Sequence, residues 1–429
     1  MEHDELPAPK ASAAQSGPEA PVAGAGRIEI IDILRGFAIF GILLVNMQFF
    51  FSPAYVAIMP EFQPWTGTLD KVVDTLIAFF GQGKFYSLFS MLFGMGLAIQ
   101  MERAETRGAP VAAFFARRMF WLLLIGLGHA VLLWFGDILF LYSALGFILI
   151  AFRKRKPKTL GVWMIVLLAI PMLLGLVFVG LIELARINPE TAAQLEESFE
   201  QNRVSMESFI EEAYATYTSH SFIEVTGIRA REWRSILSTN LFNLGPQILA
   251  LFLVGLYLGR RRFFHDISRN LSTVRRAFPW LLAGGLLGSA ILVVGREFAN
   301  YTEPSAVNLL IFVGMILGAP ILSGAYVAGI VLLTQRERWH RRLAPLASVG
   351  RMALTNYLMH SVVFTMISYG YGLGFYGRVS PSAGLGLTVV TYLLQIPFSK
   401  WWLGRFRFGP MEWLWRSLTY WKLQPMRRV

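Results

Sequence analysis

Ten mostly apolar stretches, near 33–51, 84–101, 117–135, 138–152, 160–183, 241–259, 278–296, 306–333, 352–371 and 383–403, alternate with short polar links. A bilayer core needs about 20 residues of helix at 1.5 Å each, and a helix satisfies its own backbone groups where no water can. The pattern predicts an all-α, polytopic transmembrane helical bundle of about ten spans. A further stretch, DKVVDTLIAFFGQG, is apolar but broken by Gly81 and Gly83, which predicts an interfacial or re-entrant helix. From Glu183 to Leu237 the pattern turns polar, Glu-rich and helix-permissive, as in TAAQLEESFEQNRVSMESFIEEAYATY. This predicts a small helical extramembrane cap, with a solvated loop that covers nothing as the plainer alternative.

Lys and Arg follow the links unevenly. Those after even-numbered stretches hold Arg103, Arg107, Arg117 and Arg118, then RKRKPK from Arg153, RRRFFHDISRN from Arg260 and RERWHRR from Arg336, whereas Ser52 to Asp70 holds none. Short basic loops stay in the cytoplasm, so both termini are expected there and the Glu-rich segment outside. Four regions result: a disordered cytosolic tail (1–26, rich in Ala, Pro and Gly), an N-terminal transmembrane bundle (27–183), an extracytoplasmic helical insertion (184–237), and a C-terminal transmembrane bundle with an amphipathic tail (238–429).

Composition agrees, since 55% of the 429 residues are hydrophobic and 15% charged. The formal charge of +12 has no nucleic-acid motif beside it and sits in the links, so membrane lipids and not nucleic acid are the expected surroundings. The chain has no cysteine, which excludes disulfides and thiolate chemistry. There is no GxxxxGK[ST], GxSxG, HExxH or HxxxxD, which argues against P-loop ATP hydrolysis, nucleophile-elbow hydrolases, zincins and soluble-faced glycerolipid acyltransferases, and no metal is expected.

Polar groups inside the apolar stretches are costly in hydrocarbon and mark candidate chemistry. In RIEIIDILRGFAIFGILLVNMQFF, Arg35 and Asn46 fall on one helical line roughly 16 Å apart, with Asp32 beside it. The plain reading is an interfacial ion pair and a packing amide. In GHAVLLWFGDILFLY, His129 can exchange a proton near neutral pH and Asp137 can orient it. Eight residues of straight helix would hold them roughly 12 Å apart, so only a chain reversal at Gly136 brings them together; otherwise His129 is a histidine satisfied by a carbonyl. In STNLFNLGPQILALF, Asn240, Asn243 and Gln247 recur at helical spacing beside Pro246, suited equally to binding a polyhydroxy or carboxylate group and to interhelical glue. In GRMALTNYLMHSVV, Asn356 and His360 share a face at i,i+4 with Arg351 at the cytoplasmic end, either a substrate contact or a helix contact. Glu412 and Arg416 in GPMEWLWRSL make an i,i+4 pair on a Trp-rich segment expected at the membrane surface.

The stretches RIEIIDILRGFAIFGILLVN, KFYSLFSMLFGMG, GHAVLLWFGDILFLYSALG, GRMALTNYLMHS and FGPMEWLWRSLTY together resemble the YeiB-like family of bacterial polytopic membrane proteins, domain of unknown function 418. The first of them also resembles the opening helix of transmembrane acyltransferases such as the lysosomal heparan-glucosaminide acetyltransferase, which pass an acyl group from cytosolic acyl-CoA to a sugar on the far side of the membrane. That resemblance implies acyl-CoA as co-substrate, a glycan or lipid acceptor and a bacterial inner-membrane location. It places Asp32, Arg35 and Asn46 on the helix opening the catalytic core. The lysosomal enzyme's histidine follows its asparagine closely, whereas residues 47 to 60 here contain none, so His129 is expected to stand in as the base. On this reading Arg35, Asp32 and Arg351 hold the donor, His129, Asp137 and Asn46 carry the chemistry, and Asn240, Asn243, Gln247, Asn356 and His360 meet the acceptor. The alternative is a transporter or lipid translocator lined by the same residues.

Overall fold

A computed structural model describes residues 28–106 and 110–428. The expected tail at 1–26 and Arg107 lie outside the described residues. In chain order the helices are α1 (Glu29–Phe51), α2 (Ala54–Ile58), α3 (Thr68–Phe80), α4 (Lys84–Thr106), α5 (Val111–Leu132), α6 (Leu139–Ala151), α7 (Pro157–Ala185), α8 (Pro189–Tyr217), α9 (Phe222–Asn243), α10 (Gly245–Arg260), α11 (Ile267–Arg296) and α12 (Ala306–Val313). A π-helical turn at Gly314–Gly318 leads into α13 (Ala319–Thr334), followed by α14 (Glu337–Leu343), α15 (Leu346–Arg351), α16 (Ala353–Ser368), α17 (Pro381–Arg405) and α18 (Pro410–Tyr420). The described residues form an all-α bundle.

Each of the ten apolar stretches falls on helix. Among the described residues seven helical segments are long and apolar enough to cross a membrane, or eight if α9 and α10, bent by 58°, count as one span. The two left over from the expected ten are α6 and α16, of 13 and 16 residues. At 1.5 Å per residue each falls short of a bilayer core; α6 packs on α5 and α10 and α16 on α1, while Phe147, Ile148, Val362 and Met366 stay exposed. The interrupted stretch before α4 is α3, continuous with it except at the turn 81–83.

Helix α1 is the axis. Glu29 and Asp32 in its first turn suit the positive end of the helix dipole, and the chain leaves helix at Ser52 ahead of Pro53. Along its length it enters three apolar clusters in turn: Ile33 and Leu34 pack with Leu88 and Val331, Ile39 with Met119 and Phe252, and Leu43 and Phe50 with Trp134 and Phe364. Its approach to α15 depends on glycine, because a Cβ at Gly36 would strike the Leu346 carbonyl and one at Gly350 the Asp32 carbonyl. Helix α7 is the opposite case. Leu173, Leu174, Leu176, Val177 and Phe178 are each more than half exposed, an apolar outer face suited to lipid. The chain is a membrane protein.

Beyond one end of the bundle lie α8, capped by Asn188, and α9, capped by Ser221. They are docked by buried polar ties: Glu232 accepts the Ala54 amide at 2.6 Å and the Tyr217 hydroxyl at 2.7 Å, and Arg229 donates to the Val131 carbonyl at 2.9 Å.

Candidate functional site

The chain does reverse after α5. Leu133 and Trp134 both donate to the His129 carbonyl, and the turn runs through Gly136, where a Cβ would strike the Trp134 ring. Trp134 stacks on Phe50 of α1 at 4.3 Å and donates its indole to the Phe49 carbonyl, clamping the turn against α1. Asp137 therefore returns to His129, with Oδ2 at 2.7 Å from Nδ1, while Oδ1 accepts the Phe140 amide in the first turn of α6. The other ring nitrogen, Nε2, lies 2.7 Å from Ser361 Oγ on α16, and all three groups are almost wholly shielded.

The tautomer follows from valence. A carboxylate only accepts, so His129 Nδ1 carries the proton toward Asp137, and in the neutral imidazole Nε2 is left to accept from the Ser361 hydroxyl. A serine, a histidine and an aspartate thus stand in line inside the bundle, an arrangement able to remove a proton from a hydroxyl and return it.

Beside this centre is a cavity of about 190 Å³, room for about six waters or a short acyl chain. Its lining changes along each helix. On α1 it runs from Arg35 to Ile39 and Ile42, on α5 from Arg118 to Leu122, and from Arg351 at the end of α15 to Tyr357 on α16, with Gln100 of α4 at the arginine end. α18 closes the polar end with Glu412, Trp415 and Arg416. At the apolar end the Tyr357 ring lies 5.2 Å from the His129 ring, and Ile138 adjoins Asp137. The cavity thus leads from four guanidinium groups to the wall of the His129 centre. Guanidinium forks match phosphate and carboxylate oxygens, so the polar end suits a polyanion.

Those arginines are held in place. Arg35 is 3.3 Å from the buried Asp32 carboxylate, and its guanidinium lies over Gly96, where a Cβ would sit 3.1 Å away. Arg118 stacks on Trp415 at 3.6 Å, and the Trp415 indole donates to the Arg118 carbonyl. Glu412, expected on a helix surface, turns inward: it accepts from the Leu354 and Thr355 amides and the Thr355 hydroxyl at 2.6–3.1 Å, capping α16. The unbonded amides at a helix start, with the dipole behind them, are strong partners for a carboxylate.

Other expected site residues lie elsewhere. Asn240, Asn243 and Gln247 do not form one stripe, because the helix breaks at Leu244 and bends by 58°. Asn243 is exposed and Asn240 half-buried at the end of α9. Gln247 accepts from Tyr86 at 2.6 Å and donates to the Met315 and Ile316 carbonyls at 3.2 and 2.9 Å, supplying partners where the π-helical turn disturbs the i→i−4 ladder. Asn356 and His360 are buried and tie α16 to α17 through Ser399 at 3.1 Å and Gln395 at 2.9 Å, facing away from the cavity. Asn46 is half-buried one turn before Phe50, on the face of α1 that meets Trp134 and Phe364; among the described residues its side chain makes no hydrogen bond.

Ser361, Tyr357, Arg118 and Arg416 escaped the sequence reading. The signal for the first two is YLMHS itself: Tyr357 and Ser361 repeat the i,i+4 spacing of Asn356 and His360 one residue along. Arg118, in a basic link, reads as a topology marker alone.

Comparison with known proteins gives consistent matches along the chain. The model of a family described as "Protein of unknown function (DUF418)" matches residues 258–422, which take in α16 and α18. The uncharacterized protein YxaH of Bacillus subtilis (strain 168) is 35% identical over 419 residues, covering 94% of this chain and 96% of that protein. The uncharacterized protein YeiB of Escherichia coli (strain K12) is 28% identical over 397 residues, covering 91% and 95%. No solved structure matches.

Proposed function

We propose that this chain, which belongs to the DUF418 family of YeiB-like membrane proteins, is an acyltransferase that draws on a phosphate-bearing acyl donor such as acyl-CoA and serves a hydroxyl or amine acceptor of a glycan or lipid. One observation carries the reading: a single cavity has four arginines at one end and the wall of an aspartate-oriented histidine at the other. A donor with its phosphates on Arg35, Arg118, Arg351 and Arg416 would direct its acyl end along the apolar lining toward Tyr357 and His129. His129 takes the acceptor's proton while Asp137 stabilises the imidazolium.

The arginine end belongs on the cytoplasmic side, with both termini, in an inner membrane, and α8 and α9 face outward; the distribution of basic links supports this. A cysteine placed at Glu197, the only thiol in the chain, is expected to react with an impermeant reagent from outside, and protection there would reverse the orientation.

The test of function is purified protein with labelled acetyl-CoA. Saturable binding is expected, weaker by about tenfold in Arg35→Lys, which keeps the charge but loses the fork, with release of free CoA that depends on His129. Counterflow uptake without CoA release would instead favour a transporter, and undiminished CoA affinity in folded Arg35→Lys would remove Arg35 from the donor site.

A further inference from the structure

Resting on the acyltransferase reading, we infer that Ser361 is the nucleophile and that the acyl group passes through a covalent ester on its Oγ. Several small hydroxyls buried in these helices bond back to the carbonyl four residues earlier, as Ser87 does to Gly83 at 2.6 Å, Ser90 to Tyr86 at 2.7 Å, Thr365 to Ser361 at 2.7 Å and Thr388 to Gly384 at 2.9 Å, and Ser368 reaches across to the Phe50 carbonyl. Ser361 alone among them meets an imidazole. It is wholly buried, and its hydroxyl points across to α5 and donates to His129 Nε2 at 2.7 Å, while Nδ1 is held by Asp137 at the same distance. A back-bonded hydroxyl is a helix ornament; one aimed at the lone pair of an oriented imidazole is an activated nucleophile.

Position agrees with chemistry. Tyr357, which lines the cavity, is one helical turn from Ser361 on the same face of α16, so Ser361 stands one turn beyond the cavity wall. The Tyr357 hydroxyl reaches the Gly136 carbonyl by a long bond of 3.4 Å, beside the turn that carries Asp137.

The reaction balances without a further reactant. Ser361 Oγ attacks the donor's acyl carbon as its proton moves to His129 Nε2; the carbon–sulfur bond of the thioester breaks, and the leaving thiolate takes that proton as free thiol. In the second half the acceptor's hydroxyl or amine gives its proton to His129 and attacks the serine ester. The Oγ–carbon bond then breaks and Ser361 recovers the proton. Donor and acceptor never share the site, so the acyl group alone moves between them.

The experiment uses the full chain in detergent or nanodiscs with acetyl-CoA and no acceptor, quenched in acid and analysed by mass. One acetyl group is expected on the peptide bearing Ser361, absent in Ser361→Ala and His129→Ala, and hydroxylamine-labile in Ser361→Cys, whose thiol is the only one in the chain. Ser361→Ala should also lose CoA release by at least about a thousandfold. CoA release by Ser361→Ala at the native rate overturns the nucleophile and leaves the acyltransferase reading standing. If the native protein releases no CoA, that reading fails, and the Ser361→Cys variant decides the nucleophile by itself. Alkylation of its thiol that is fast at neutral pH and slows when His129 is also replaced upholds an activated position, whereas a rate indifferent to His129 overturns it.

Discussion

Helix α16 carries two polar faces one residue apart. Asn356 and His360 meet Ser399 and Gln395 of α17, side chain to side chain across a helix contact. Tyr357 and Ser361 meet His129 of α5, at the wall of a cavity. Both faces keep polar groups out of hydrocarbon, so burial does not distinguish them. What differs is the partner: a hydroxyl and an amide on one side, and on the other an imidazole already oriented by a carboxylate. A polar residue in a membrane helix gains chemistry from what its partner is bonded to in turn.

The comparison breaks most sharply at Asp137. Asp137→Asn leaves Nδ1 without its carboxylate and favours the wrong tautomer, so CoA release should fall by about three to four orders of magnitude with the protein still folded. Steady-state rates beside a thermal midpoint measure both. A decline in step with the folded fraction would place Asp137 with the structural face.

On the α17 side the expected pattern is inverted. His360→Ala removes the partner of Gln395 and should destabilise by about 1–3 kcal/mol, with turnover per folded molecule within a factor of a few of native. Thermal unfolding and a rate normalised to folded protein test it. A stable variant that has lost turnover would move the site to the other face.

The smallest effect concerns the start of α16. Burial holds the Glu412 carboxyl above its ordinary value of 4.5, despite the bonds from Thr355 and Leu354 that favour the ionised form. A raised acid binds its proton more tightly folded than unfolded. Its contribution is therefore complete below pH 4.5 and is lost as pH rises through the folded value. Thermal midpoints of native protein and Glu412→Gln should diverge modestly across that window and run parallel outside it, and parallel curves throughout would remove Glu412 as the source.

The apolar runs made the helices legible, because hydrocarbon leaves the backbone few choices. The pairing of His129 with Asp137 was legible as a condition on Gly136, and Arg35 and Arg351 as charges at a span end. Ser361 was hidden, since its partner is 232 residues away and a serine next to a histidine is a quiet signal. Arg118 was masked by the use of basic residues as topology markers, and Arg416 by its spacing from Glu412. The amides Asn240, Asn243 and Gln247 misled because periodicity assumes an unbroken helix, which the bend at Leu244 denies.

The central claim is that His129 works on a substrate rather than holding helices together. The most direct measurement is CoA release from acetyl-CoA by native protein and His129→Ala, alongside the thermal midpoint of each. The account predicts release lower by about a thousandfold or more with the midpoint nearly unchanged; native release from a destabilised His129→Ala protein would contradict it.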